Sequence, residues 1–134
     1  MRFSLRSALL ALTLLFITAC SDTHKPEMAI NEFYDELSLG RYSQAIVLFD
    51  LGELPEAFHE KGLLYETMTA IFEELARNIR AKGGIEQIDF SSVEFNEAKD
   101  EAVVRYTLQL KDGSSTPDTL YLTKDETHFW RLTL

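Results

Sequence analysis

The apolar residues of this chain change their spacing at Gly83-Gly84, and this change limits the folds that the chain can adopt. Before the glycine pair they recur three and four positions apart, which is typical of one face of a helix. After it they recur at every second position, which is typical of half-buried strands. Helices followed by strands indicate an α+β domain in which the helices cover one face of the sheet.

Three helices are expected before the glycine pair. The first begins at Pro26, a residue suited to a first helical turn, and stops at Gly40. The second begins near Tyr42 and ends near Asp50 to Gly52, and the third covers about Glu60 to Lys82. The inner side of the third helix is expected to consist of Leu64, Met68, Ile71, Phe72, Leu75 and Ile79.

Four antiparallel strands joined as a meander are expected after the glycine pair, with turn-forming residues between the alternating runs. The apolar phase slips by one position between Phe90 and Val93. The two serines between them are therefore predicted to form a β-bulge that curves the sheet. A curved sheet can wrap a helix, so Phe72 and Trp130 are expected to share one core.

The first twenty residues have the pattern of a bacterial export signal. Arg2 and Arg6 give a positive start, and an apolar run of about twelve residues follows, which is shorter than the roughly 20 residues of a membrane-spanning helix. The run ends in Ile17-Thr18-Ala19-Cys20. This ending resembles a lipobox, the motif of bacterial lipoproteins. The resemblance implies that residues 1–19 are removed and that Cys20 is acylated.

The remaining chain is acidic and is long enough for one domain. Without the two Arg of the signal it holds 11 Lys+Arg against 22 Asp+Glu, a formal charge of −11. Such a charge opposes nucleic acid as a partner, because phosphates are bound by clustered Lys and Arg. Residues 20–25 are expected to be the lipidated cysteine and a short tether, and residues 26–134 a single domain. Cys20 is the only cysteine, so its acylation would leave no thiol for a disulfide, metal or catalysis.

The lipid is expected to hold the domain on a membrane of the cell envelope. Ser21, rather than Asp, follows the cysteine. In a Gram-negative cell this resembles the signal for delivery to the outer membrane, where the domain would face the periplasm.

Several parts of the chain resemble a family of small bacterial lipoproteins of unknown function. They are Pro26-Glu27 through Phe33-Tyr34, Leu37, Gly40-Arg41-Tyr42, Ala45, Gly83-Gly84-Ile85, the Asp112-Gly113 turn and Phe129-Trp130-Arg131-Leu132. That family has the nuclear transport factor 2-like (cystatin-like) fold, a cone of curved sheet around a long helix. The resemblance covers nearly all of the mature chain and implies this fold, but it carries no catalytic residues. Arg41 is a departure, since the family often has Asp there.

A candidate pocket is expected at the wide end of this cone. Strand parity and the fold implied by the resemblance put Tyr34, Phe72, Tyr106 and Trp130 around it, with His128 at its rim. Enzymes of this fold, such as ketosteroid isomerases and dehydratases, use carboxylates, Tyr or His inside the cone. The strands are not expected to point a carboxylate inward, and the three His lack metal-ligand spacing. No metal or cofactor is therefore expected.

Two functions remain open. The first is a non-catalytic envelope module that binds a protein or an apolar small molecule, which the scarcity of catalytic groups favours. The second is a lyase or isomerase with a tyrosine and histidine pocket. A homodimer is compatible with either, and its contact face on the sheet would be formed by Val103, Thr107, Tyr121 and Thr123.

The anchoring hypothesis predicts that Cys20→Ala abolishes membrane attachment. Each buried methylene of the lipid contributes about 0.8 kcal/mol, and no other segment of the mature chain is apolar enough to hold the protein on a membrane. Cell fractionation of the exported variant measures this. An exported Cys20→Ala protein that still sediments with membranes would contradict the hypothesis.

Overall fold

The computed structural model describes residues 24–51 and 62–134. Four features of the sequence lie outside these residues: the predicted signal, Cys20, His59 and the start of the predicted third helix. The described helices are α1 (Pro26–Ser38), α2 (Tyr42–Val47) and α3 (Leu63–Ala81). The described strands are β1 (Phe49–Asp50), β2 (Ile85–Phe95), β3 (Glu101–Leu110), β4 (Ser115–Lys124) and β5 (Trp130–Thr133).

The sheet has five strands in the order β1-β5-β4-β3-β2, and it is mixed because β1 runs parallel to β5. The four predicted antiparallel strands are present as β2 to β5. The prediction missed β1, whose residues it gave to the second helix. The Leu132 N–H donates to the Leu48 carbonyl oxygen at 2.9 Å. This bond between distant residues draws the chain onto the sheet, so helical periodicity does not decide the structure here.

The predicted β-bulge is confirmed by the register of β2 against β3. Phe90 pairs with Tyr106 and Ser92 pairs with Arg105, so Ser91 is the extra residue. The Ser91 hydroxyl donates to the Arg105 carbonyl oxygen at 3.0 Å, which fixes the bulge. A bulge bends the strand that contains it and increases its twist.

The junction between α1 and α2 depends on Gly40, which has a φ of +71°. This left-handed conformation suits glycine and ends the helix. Arg41 then donates its backbone N–H to the Glu36 carbonyl oxygen at 2.9 Å. The Arg41 guanidinium also forms two 2.7 Å hydrogen bonds with the Glu36 carboxylate, so Arg41 holds this turn together.

The core lies between the helices and the inner face of the sheet. Every second residue of β3, from Ala102 to Leu110, is buried, as the alternation predicted. On α3, Met68, Phe72 and Ile79 are buried as predicted. The prediction that Ile71 faces inward is wrong, because 57% of its surface is exposed. Successive helical residues are about 100° apart, so a helix that turns Phe72 inward turns Ile71 away.

Phe72 and Trp130 belong to one buried cluster, as predicted. Their rings have different neighbours within it. Phe72 packs against Phe33, with ring centroids 5.2 Å apart, whereas Trp130 packs against Phe95 at 5.8 Å. The cluster therefore extends from α3 and α1 to the last strand.

Phe72→Ala is expected to lower the free energy of unfolding by about 3–5 kcal/mol, because it removes a buried aromatic side chain and leaves a cavity. Ile71→Ala is the matched control, since it shortens a neighbouring but exposed side chain of the same helix. Chemical denaturation of both variants measures the difference. Equal losses in the two variants would contradict the packing of α3 described here.

Candidate functional site

A pair of tyrosines lies inside the domain where α1 meets the sheet. Tyr34 is on the buried face of α1, and Tyr106 is on the inner face of β3. Their hydroxyl oxygens are 2.8 Å apart and are buried. The sequence assigned both residues to the candidate pocket, and the structure brings them into direct contact.

A carboxylate continues this contact toward the surface. Asp118 lies opposite Tyr106 in the register of β3 and β4. The Tyr106 hydroxyl donates to Asp118 Oδ2 at 3.2 Å. Because Tyr106 uses its hydrogen for this bond, its oxygen accepts the hydrogen of Tyr34. The three residues form a chain of hydrogen bonds, which we call the tyrosine chain.

Asp118 departs from the expectation that no strand carboxylate lies on the inner side of the sheet, although its side chain is exposed at the rim. By sequence, Asp112-Gly113 with Pro117 following indicates a turn before Leu120, but β4 already begins at Ser115. Since β5 pairs only with residues 122–124, β4 lacks a second neighbour at Pro117, and proline is tolerated in such a place. Counting back from Leu122 in steps of two would have put Asp118 on the inner side.

Both tyrosines keep their protons at neutral pH. Burial raises the pKa of Tyr34 to about 12. Burial also raises the pKa of Tyr106, and the neighbouring Tyr34 and Asp118 raise it further. Each hydroxyl hydrogen is engaged within the tyrosine chain, so neither is free to protonate a bound substrate unless the chain opens. The arrangement is suited to holding α1 against the sheet.

Four of the predicted pocket residues are core residues in this structure. Tyr34, Phe72, Tyr106 and Trp130 expose 4%, 6%, 1% and 4% of their surfaces. Phe33 packs edge-on against both Tyr34 and Phe72, with ring centroids 5.1 and 5.2 Å apart. Side chains with so little exposed surface contact protein on nearly all sides. They fill the interior rather than line an open cavity.

His128 lies away from the tyrosine chain. It is exposed in the turn between β4 and β5, with a φ of 65°. Its N–H donates to the Asp125 carbonyl oxygen at 3.0 Å. Asp118, which lies opposite Tyr106, is six residues before the end of β4, and His128 lies beyond that end. The structure therefore does not bring His128 together with the tyrosines.

His24 takes part in a contact that the sequence did not reveal. Its Nδ1 accepts the backbone N–H of Trp130 at 3.1 Å, and its ring packs edge-on against Phe129 with centroids 4.8 Å apart. Phe95 packs against Trp130, and the Lys124 amine lies 5.4 Å from the Trp130 ring centroid. We call these five residues the tether corner. No spacing signal links residue 24 to residue 130, so the sequence offered no means of predicting it.

The outer face of the sheet carries a shallow hollow of about 210 Å³. Tyr121, which is 60% exposed, lies opposite Val103 in the β3 and β4 register. Thr123 and Thr133 also line the hollow. Three of the four residues predicted for a contact face, Val103, Tyr121 and Thr123, therefore meet at one place, while Thr107 lies farther along β3, opposite Pro117.

Metal ligands are not grouped in residues 24–51 and 62–134, where no three of His, Cys, Asp and Glu are arranged to hold an ion. Within the same ranges, no helix is long and apolar enough to cross a membrane. The expected lack of a metal or cofactor remains a prediction.

The helices on a curved, bulged sheet define the nuclear transport factor 2-like fold, and a comparison with solved structures supports this class. One similar structure is a crystal structure from Campylobacter jejuni described as a "Putative NTF2-like transpeptidase". It has a TM-score of 0.71 and 23% identity, with 82% of this chain and 98% of that chain covered. No family model matches the sequence, and no curated protein matches it significantly. The comparison therefore shows the fold alone.

Tyr106→Phe is expected to lower the free energy of unfolding by about 1–3 kcal/mol, because it leaves the Tyr34 hydroxyl buried without a partner. Tyr34→Phe should cost about 0.5–1.5 kcal/mol, since Tyr106 keeps Asp118. The double variant should lose less than the sum of the two. Urea denaturation measures all three, and additive losses would contradict the tyrosine chain.

The docking of His24 is expected to weaken in acid. Burial lowers the pKa of His24 below 6.5, with Lys124 and Arg131 acting in the same direction and Glu32 and Asp125 opposing them. The unfolded chain therefore takes up the proton first, so the stabilisation is present above pH 6.5 and is lost as the pH falls through and below that value. The Trp130 amide signal in NMR reports the bond. His24→Ala should remove this transition, whereas exposed His128→Ala should leave it; a transition that follows His128 would contradict the assignment.

Proposed function

We propose that this protein is a membrane-anchored envelope lipoprotein that works as a non-catalytic binding module through the outer face of its sheet. The observation that carries this proposal is the filled interior, in which Tyr34 and Tyr106 use their hydroxyl hydrogens on each other and on Asp118. Catalysis in a cone needs an open space beside a free acid or base. The anchor is supported by the lipobox-like ending at Cys20.

The outer hollow supports a binding role. Exposed aromatic side chains such as Tyr121 supply large contact area with two rotatable bonds, and tyrosine is enriched in interfaces. Val103 and Thr123 beside it are partly buried and uncharged, and exposed Glu101 adds one carboxylate to the lining of the hollow. The partner would be an envelope protein, and a second copy of this chain would meet the same requirement.

Site-specific photo-crosslinking in the intact envelope tests this proposal. A photoreactive amino acid at Tyr121 should give a discrete crosslinked species, either a heterologous protein or a dimer of this chain. The same amino acid at Ile71, which is similarly exposed on α3, is the control. Equal labelling from both positions, or no crosslink from Tyr121 in the native membrane, would contradict the outer face as the binding surface.

A catalytic alternative is favoured by one observation, the Asp118 carboxylate bonded to Tyr106. A lyase or isomerase could use this carboxylate as a base if a substrate displaced the tyrosine. Turnover that is lost in Asp118→Asn and in Tyr106→Phe, but kept in Asp89→Asn, would establish it. Asp89 is a suitable control because it lies opposite Thr107 on the other face of the sheet.

The transpeptidase description belongs to the Campylobacter protein. Acyl transfer needs a nucleophile next to a base. In residues 24–51 and 62–134, no Ser or Thr hydroxyl is hydrogen-bonded to a His or Lys side chain; for example, Ser91 bonds a carbonyl and Thr127 bonds Asp125. These contacts give no support for the same activity here.

A further inference from the structure

The tether corner fixes the point at which the chain leaves the domain toward Cys20. His24 is held there by the Trp130 N–H and by the Phe129 ring. The turn that carries Phe129 is itself braced by Asp125, whose carboxylate accepts the N–H groups of Thr127 and Phe129 and pairs with Arg131 at 2.9 Å. The attachment point is therefore on a firmly hydrogen-bonded part of the sheet.

The chain between this point and the proposed lipid is short. Only Ser21, Asp22 and Thr23 lie between Cys20 and His24, and the four steps from one Cα to the next span at most about 14 Å even when fully extended. The β4 strand has ten residues, and its two ends are about 30 Å apart at 3.3 Å per residue. While His24 stays docked, the tether is therefore too short for the far end of the sheet to take the place of the tether corner next to the membrane.

The surface of the tether corner suits a lipid interface. Phe129 is 51% exposed and Phe95 is 49% exposed, and they flank the buried Trp130. Aromatic rings favour the boundary between acyl chains and headgroups, and lysines extend their stems along apolar surface toward that boundary. Lys124 lies over Trp130 in this way.

The charge around the corner selects among lipids. The adjoining turn from β2 to β3 holds Glu97, Asp100 and Lys99, and Glu126 extends from the turn after β4. Lys99, Lys25 beside His24 and Lys124 over Trp130 balance these three acids, while Arg131 is paired with Asp125. A balanced charge gives little net attraction to anionic headgroups. The contact should therefore be made with zwitterionic lipid through the phenylalanine rings.

We infer that the tether corner rests on the membrane that carries the anchor, with Phe95 and Phe129 in the interface and the sheet standing end-on. This inference rests on the proposed acylation of Cys20. It puts the opposite end of β4, near Ser115, about 30 Å farther from the bilayer. The outer hollow then remains open at the side, close to the membrane surface.

Quenching by nitroxide-labelled lipid tests the orientation in the lipidated protein reconstituted in phosphatidylcholine vesicles. Acylation blocks Cys20, so an engineered cysteine takes a fluorophore at one position. Glu126→Cys at the corner and Ser115→Cys at the far end of β4 are both exposed. A fluorophore at Glu126 should be quenched several-fold more than one at Ser115. Trp130, the only tryptophan, should be quenched without any label.

Phe129→Ser should reduce the quenching of Trp130, whereas Ile71→Ser, at an exposed apolar position on α3, should leave it unchanged. Equal quenching at Glu126 and Ser115, or stronger quenching at Ser115, would overturn the end-on orientation while leaving the anchor intact. Added anionic lipid that greatly strengthens the quenching would overturn the assignment to zwitterionic lipid. Protein isolated from cells without any lipid on Cys20 would overturn the anchor itself and this inference with it.

Discussion

The packing of aromatic rings between α1, α3 and the sheet is the contact on which the rest of the structure depends. Phe33 of α1 contacts Phe72 of α3 and Phe49 of β1, with ring centroids 5.2 and 5.4 Å apart. One residue farther along α1, Tyr34 reaches Tyr106 on β3. Edge-on aromatic pairs add about 0.5–1.5 kcal/mol beyond the burial of their surface. The same contacts that stabilise the domain also occupy the interior where a fold of this shape could hold a ligand.

The tyrosine chain shows how the core accommodates polar atoms without creating a reactive site. A buried hydroxyl without a partner costs free energy, so Tyr34 needs an acceptor. The Tyr106 oxygen is that acceptor, and the Tyr106 hydroxyl in turn donates to Asp118 at the rim, where water can reach the carboxylate. The features that resemble an acid-base pair thus also explain why two hydroxyls are tolerated in the core. This is why the outer face and the tether corner, rather than the interior, carry our functional proposals.

The sequence predicted the elements whose cause is local, and it missed those whose cause is a distant contact. The alternation of β3 and the slip between Phe90 and Val93 follow from the chain's own spacing, and both are confirmed. The short β1 depends on a bond between Leu48 and Leu132. The docking of His24 onto Trp130 likewise depends on a tertiary contact between distant residues. The exposure of His128 depends on the turn after β4. For the candidate pocket, the sequence predicted which residues are buried. It did not predict whether these buried residues line a cavity or fill a packed core.

The filled interior is the central claim, and xenon titration followed by NMR tests it most directly, because xenon enters apolar cavities that water leaves empty. If the rings pack as described, the amide signals of Val104, Tyr106 and Leu108 should show no saturable shift as the xenon pressure rises. A saturable shift centred on Tyr34 and Tyr106 would show an open apolar space beside the tyrosine chain. That result would contradict the filled interior and would move the functional site from the outer face into the cone.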